Sequence, residues 1–374
     1  MTWSASEPFN ELPPLPPRVE IETKRVLKAT IEARAALAAL DQATRRLPNP
    51  AVLINAIPLL EAQASSEIEN VVTTADELFR FAEDESAAAD PAIKETLQYR
   101  RALFVGFESV KDRPLSSNTA ATVCTIIKSR EMKVRRAAGT FIGNPTTKEP
   151  TYTPPSGESL IRDKLHNWEQ FIHESGDLDP LVVMAIAHYQ FEAIHPFEDG
   201  NGRTGRILNV LLLVEAGLLN QPILYLSRYI IETKTVYYSL LQAVTADERW
   251  EDWILYLLEG LRRTAVSTVS KIDAIHVLQD NVLERIRELI SGGANADLIR
   301  VLFEQPYARI NDVVRECRVS RPTATTWLNA LVAGGVLVDV RKGRERLFVN
   351  SAFFEVLTRD ELAESPSNAE PTLF

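Results

Sequence analysis

The stretch that decides the fold is HPFEDGNGRTGR, residues 195–206, which follows directly on the apolar run LVVMAIAHYQFEAI, residues 181–194. That run has the length and spacing of a buried helix, and the His195-Pro196 step ends it because proline disfavours helix in the residue before it. Asp199, Gly200, Asn201 and Gly202 then make a turn, and a second helix begins near Arg203. Two glycines let backbone amides approach a ligand closely. The start of the next helix adds unbonded N–H groups and the positive end of a dipole, which favour an anion. Arg203 and Arg206 stand three residues apart on one helix face, where they can hold phosphate oxygens as a pair. Asp199 is a hard oxygen ligand where a phosphate-bound Mg²⁺ would sit. His195, the only nearby group expected to titrate close to neutral pH, is the candidate general base. Taken singly these are a turn, a solvated arginine face and a capped helix end. In this order they describe a phosphoryl- or nucleotidyl-transfer site.

Outward from the turn, the chain is 374 residues long with 45% hydrophobic and 25% charged residues, ordinary for two or three globular domains. The net charge of −10 excludes a protein that coats nucleic acid or anionic lipid over its whole surface. Two cysteines, Cys124 and Cys317, are too few for a disulfide framework or a thiolate zinc site. The most apolar stretch, 207–219, is too short and too polar to cross a bilayer, and the first residues do not read as a secretory signal. The expectation is a cytoplasmic protein without membrane contact.

Five prolines among the first 17 residues predict an extended arm. Leu27, Ile31, Leu37, Leu40 and Leu47 predict a helix stopped by Pro48 and Pro50. A short helix over 51–60 leads to Ser65-Ser66, whose hydroxyls before acidic residues read as a new helix start. Spacing predicts further helices over 92–110, 115–129, 157–175, 180–194, 203–218, 231–245, 249–265 and 270–290. Residues 134–153 break the pattern, with β-branched and aromatic runs on either side of Gly143, Asn144 and Pro145, and predict a β-hairpin. A boundary falls at 291–293, beyond which residues 292–350 hold nine basic and six acidic side chains. The fold class is mainly α, in regions 1–110, 111–290 and 291–358 with a tail over 359–374.

The 195–206 string resembles the Fic family motif HxFx(D/E)GNGRxxR at every fixed position. The resemblance implies a helical protein adenylyltransferase that moves AMP from ATP to a hydroxyl of a target protein, with Mg²⁺. His195 would deprotonate a Ser, Thr or Tyr hydroxyl, and Asp199 would hold the metal. Gly200, Asn201 and Gly202 would form the anion hole, and Arg203, Thr204, Gly205 and Arg206 would complete the nucleotide site. Phosphate-transferring relatives carry Lys at the place of Gly202, so Gly202 favours AMP transfer. The 134–153 hairpin would be the flap that aligns the target by strand addition. Tyr237, beside Tyr238, would lie against the adenine. Residues 65–70, SSEIEN, fit the family's inhibitory signature (S/T)xxxE(G/N) with Ser65, Glu69 and Asn70 in the fixed places. There Glu69 would pair with Arg206 and exclude the γ-phosphate. In some relatives such a glutamate could orient water for removal of AMP, so de-AMPylation stays an alternative, as does transfer of another nucleotide.

Residues 297–350 read as three helices and two strands with a basic tip, and look like a winged helix-turn-helix. Arg318, Arg321, Thr323, Thr325 and Thr326 would face DNA, and Arg341, Lys342 and Arg344 would meet phosphates. The same module serves as a dimerisation surface, where Trp327, Leu328 and Leu331 could form a homodimer contact. A DNA-binding regulator with a non-catalytic Fic scaffold is therefore the rival reading. An adenylyltransferase of this kind could also modify itself.

Overall fold

The computed structural model describes residues 3–46, 51–82, 88–137, 139–143, 149–290, 296–342 and 345–359. Two apolar helices form the centre: α7 (Pro180–Ile194) and α8 (Asn201–Glu215). They take their α7 and α8 labels from the chain order that begins with α1 (Lys24–Arg46), α2 (Ala51–Ile68), α3 (Ala75–Phe81), α4 (Pro91–Asp112), α5 (Ser117–Lys128) and α6 (Glu158–Glu174). Nearly every residue of α7 is buried, which suits a helix apolar on all sides. It starts at Asp179, whose carboxylate accepts from the Leu181 N–H, with Pro180 in the first turn. Trp168 of α6 donates to the Ala187 carbonyl at 2.9 Å, and Trp253 donates to that of Ala185 at 2.7 Å. Two indoles thus fix the helix that carries the site.

The outer shell adds to or departs from the expected pattern in three places. In α1 the buried stripe is Val26, Ala33, Leu37 and Leu40, whereas Leu27 and Ile31 are 44% and 68% exposed. The buried face is completed by Thr30 and the small alanines rather than by every large apolar residue of the series. Ser65 and Ser66 do not start a helix; they lie buried in the last turn of α2, which runs unbroken past Leu60. The start falls at Thr74, which makes a capping box with Glu77 at the head of α3. The proline-rich arm is docked: Leu12 and Leu15 are buried, and Asn167 accepts from the Leu15 N–H at 2.7 Å.

Beyond the motif, α9 (Leu226–Glu232) and α10 (Lys234–Asp247) are separated only by Thr233. The two helices expected over 249–290 are one, α11 (Trp250–Leu289). The Thr264 and Thr268 hydroxyls donate to the Gly260 and Thr264 carbonyls one turn back, which gives these buried groups partners inside the helix. Among the described residues the hairpin is β1 (Ile142–Gly143) paired with β2 (Pro150–Tyr152), antiparallel, with Ile142 opposite Tyr152. Its expected turn at Asn144-Pro145, the 291–293 boundary, Pro48, Pro50 and the tail beyond 359 lie outside the described residues.

The C-terminal region comprises α12 (Ala296–Glu304), β3 (Tyr307–Ala308), α13 (Ile310–Cys317), α14 (Arg321–Ala333), β4 (Val338–Lys342), β5 (Glu345–Val349) and α15 (Ser351–Thr358). The sheet order is β3-β5-β4. Leu328 and Leu331 are fully buried inside this unit, so they are unavailable for the expected homodimer contact, and Trp327 packs partly on the same core. The Thr325 and Thr326 hydroxyls donate back to the Arg321 and Pro322 carbonyls, and the Arg321 guanidinium donates to Asn311 at 2.7 Å. Residues 343–344, including Arg344 of the basic tip, lie outside the described residues. Among the described residues no helix is long and apolar enough to cross a membrane.

Candidate active site

The turn is built by residues that each have a separate backbone task. His195 closes α7 in the left-handed region (φ 49°, ψ 60°), its N–H donating to the Phe191 carbonyl at 3.0 Å. Phe197 is buried as an anchor, and the Asn201 side chain brackets it, accepting from its N–H and donating to its carbonyl, both at 2.8 Å. The side chain of Asn201 is therefore taken up in holding the loop, which leaves its main-chain amide as the group it could offer to an anion. Gly200 starts α8 at φ 82° with no side-chain cap, which leaves the first amides of α8 available to an anion. A Cβ there would lie 3.2 Å from the Cys124 Sγ, in a backbone region that L residues rarely adopt.

Arg135, buried just ahead of the flap, holds this turn from behind. Its guanidinium donates to the His195 carbonyl at 2.8 Å and to those of Ile194 and Pro155, while its own N–H donates to Pro196 at 2.9 Å. It ties both ends of the hairpin to the backbone of the candidate base. Burial, followed by the Arg135 charge, pushes the His195 imidazole down to about 4, so the ring is neutral at pH 7 and able to take a proton. The group poised near neutrality is instead Glu192, one turn earlier, whose carboxyl burial lifts to about 7. The expectation that His195 alone titrates in that range is corrected by its burial.

Arg206 and the 65–70 segment meet across 141 positions of sequence. The Arg206 guanidinium donates to the Ser65 Oγ at 2.8 Å, the Ser65 carbonyl at 2.9 Å and the Glu69 Oε1 at 2.8 Å. Burial opposes ionisation of both partners, yet each holds the other charged: Glu69 is lowered and Arg206 raised. A Cβ on Gly202 would fall 2.2 Å from the Glu69 Oε1, so glycine at this position makes room for the pair. Asn70 closes the segment in the left-handed region at φ 62°.

A second chain of charges runs along the other side of the turn. Arg203 pairs with Glu95 at 2.8 Å, Glu95 with Lys128 at 2.6 Å, and Lys128 with Asp199 at 2.7 Å. No group of three or more metal-ligating side chains occurs among the described residues. A half-exposed single carboxylate suits Mg²⁺, which keeps most of its waters and arrives on substrate phosphates. Asp199 would hold it there in place of the Lys128 ammonium. Thr204 and Gly205 follow in α8; Thr204 is buried, and a Cβ on Gly205 would lie 2.5 Å from the Glu192 Oε1.

Beside the Glu69–Arg206 pair opens a cleft of about 480 Å³, walled by Glu69, Asn70, Ile142, Glu192, Tyr238 and Leu241 among others. Tyr237 does not face it. That ring is 1% exposed, its hydroxyl 2.9 Å from the His188 Nε2, within an aromatic cluster with Trp253 and Tyr256. Tyr238, 40% exposed, lines the cleft in its stead, because consecutive helix residues point about 100° apart and α10 turns Tyr237 inward. The sequence reading missed Glu95, Lys128, Arg135 and Glu192. Only Glu192 left a signal, as a carboxylate within an otherwise apolar helix.

Three family models match along the chain: the Fic/DOC family N-terminal model over residues 27–108, the Fic/DOC family model over 121–213, and the C-terminal domain of SoFic-like protein adenylyltransferases over 278–353. Protein adenylyltransferase fic-1 of Caenorhabditis elegans is 30% identical over 134 residues, 35% of this chain and 24% of that protein. A probable protein adenylyltransferase of Aquifex aeolicus (strain VF5) is 38% identical over 96 residues, 26% of this chain and 28% of that protein. The chain thus spans about a quarter of the length of these two relatives. A Fic family protein from Desulfovibrio desulfuricans G20 shares the fold at a TM-score of 0.58 and 21% identity, over 90% of this chain and 98% of that one. With the N-terminal, central and C-terminal matches in order around the HPFEDGNGRTGR turn, this chain belongs to the Fic/DOC family.

Proposed function

We propose that the chain is a protein adenylyltransferase that moves AMP from ATP to a side-chain hydroxyl of a target protein, and that Glu69 restrains it. The observation that carries the reading is the uncapped first turn of α8 lying next to a neutral His195. The α8 amides at Gly200, Asn201 and Gly202 would hold the phosphates. The adenine side of ATP would enter the cleft toward Tyr238. Mg²⁺ held by Asp199 would neutralise phosphate charge. His195 would take the proton of the target hydroxyl as its oxygen attacks the α-phosphorus. The bond from that phosphorus to the bridging oxygen breaks, and pyrophosphate leaves with the electron pair. Paired strands β1 and β2 would align the target segment by backbone hydrogen bonding.

The restraint is electrostatic competition. Arg206 cannot hold a γ-phosphate while its guanidinium is shared among Ser65 and Glu69, and the Glu69 charge repels that phosphate. The test is the intact mass of Glu69→Gly protein after incubation with ATP and Mg²⁺, alone and with candidate targets. A gain of one AMP that vanishes in the Glu69→Gly/His195→Ala double variant is expected. No gain under any condition would overturn the reading.

A further inference from the structure

The last residue of α5, Lys128, has no part in the transfer step. Its ammonium stands 2.7 Å from the Asp199 Oδ2, on the carboxylate assigned to Mg²⁺, and 2.6 Å from the Glu95 Oε1. Its stem packs at the head of α8, where a Cβ on Gly200 would meet the Lys128 Cγ and Cδ at 3.4 Å. The Lys128 side chain is 16% exposed, against 54% for Asp199, so a largely enclosed cation sits on one oxygen of a carboxylate that is open to solvent. Arg203 completes the group by pairing with Glu95 at 2.8 Å. Two cations thus face two carboxylates, and the group is neutral without a metal. Asp199 needs such a partner: it directly precedes the α8 amides that would receive phosphates, and a bare carboxylate there would repel them. Lys128 is also able to let go. An ammonium has three N–H donors, and Glu95 still holds it when another cation takes Asp199. Without Glu95, release would strand a mostly buried charge, which is costly.

We propose that Lys128 is a tethered stand-in for the divalent cation, neutralising Asp199 while no metal is bound and withdrawing onto Glu95 when the metal arrives. ATP binding then depends only weakly on Mg²⁺, because one positive charge faces Asp199 in either state. The inference rests on the adenylyltransferase reading and on Asp199 as the metal carboxylate. A direct grip of Lys128 on a phosphate oxygen is the weaker alternative, since the ammonium would have to leave two carboxylates at once.

The experiment is calorimetric titration of ATP into Glu69→Gly/His195→Ala protein, in which Arg206 is released and no transfer occurs. It is run once with EDTA and once with excess Mg²⁺. The quantity read is the ratio of the two dissociation constants, Kd in EDTA over Kd in Mg²⁺. The association of Mg²⁺ with free ATP is common to all variants and cancels when ratios are compared. Lys128→Met keeps an apolar stem and removes the charge. It should raise the ratio about fivefold or more, a modest part of what a unit charge a few ångströms away is worth near a protein surface. The rise should come from weaker binding in EDTA. In an Asp199→Asn background the same substitution should leave the ratio unchanged, since no carboxylate remains to be neutralised. Each ratio compares affinities within one preparation, so a smaller folded fraction does not alter it. An unchanged or lower ratio in Lys128→Met would overturn the proposal, and equal weakening in both buffers would mark Lys128 as a phosphate ligand instead. A rise that persists with Asp199→Asn would overturn it as well. Each of these results leaves ATP binding intact, whereas parent protein that binds no ATP in either buffer would remove the nucleotide reading itself.

Discussion

Replacing Glu69 tests the restraint quantitatively. Its carboxylate makes one charge-assisted bond to Arg206, which keeps two further bonds to Ser65 after the change. Removing one partner of a fully buried ion pair costs about 3–5 kcal/mol. The Glu69 side chain is 34% exposed, so solvent screening reduces this, and about 2–3 kcal/mol is the appropriate scale. If that energy holds the closed arrangement against the ATP-competent one, Glu69→Gly raises the rate of AMP incorporation roughly 30- to 150-fold. Glu69→Gln keeps a neutral acceptor and loses about 1 kcal/mol, the difference between a charged and a neutral hydrogen bond, so it should rise about fivefold. The assay is the initial rate of labelled AMP incorporation at saturating ATP and Mg²⁺. A parallel thermal scan should show the Glu69→Gly protein less stable without nucleotide and more strongly stabilised by ATP than the parent. Equal rates for parent, Gln and Gly proteins would refute the reasoning, as would an order in which Gln exceeds Gly.

Gly200→Ala should destabilise the protein by about 1–2 kcal/mol, from a left-handed backbone and the 3.2 Å approach to Cys124, and should depress AMP transfer; a denaturant melt and the incorporation assay check the two effects together. Stability should also fall on acidification. Burial lowers His188 to about 3 and His195 to about 4, so the unfolded chain takes up their protons first. Their contribution is complete above about pH 6.5 and is lost as the pH drops toward those values. Urea titrations between pH 7 and pH 4 should give a slope that is shallower in His188→Gln, and a slope unchanged by that substitution would contradict the burial argument.

The HPFEDGNGRTGR turn could be read from the chain alone because its determinants are local. Proline stops α7, glycine adopts a positive φ, and Asn201 reaches back only four residues to Phe197. The same locality made the helices before and after it readable, and let the 134–153 segment be recognised as the place where the helical pattern breaks. The SSEIEN segment was found only through resemblance to a family signature; its local chemistry pointed to a helix start, and the structure makes it a helix end. Periodicity says which residues share a face, not which neighbour that face meets. Hence Tyr237 and Tyr238 could not be told apart, and within the apolar series that predicts α1, Leu37 and Leu40 are buried while Leu27 and Ile31 stay at the surface.

By itself, then, the sequence determined a glycine-lined helix start with a histidine beside it, because residues within a few bonds of one another set the backbone angles there. Only the tertiary structure decided what surrounds that start. Glu69 on Arg206, Lys128 on Asp199 and Arg135 behind His195 join residues separated by 60 positions or more. Such contacts arise from the packing of α2, α4, α5 and the flap base around α7 and α8. Burial in that packing also moves the proton affinities of His195 and Glu192, since desolvation acts through the whole neighbourhood rather than along the chain.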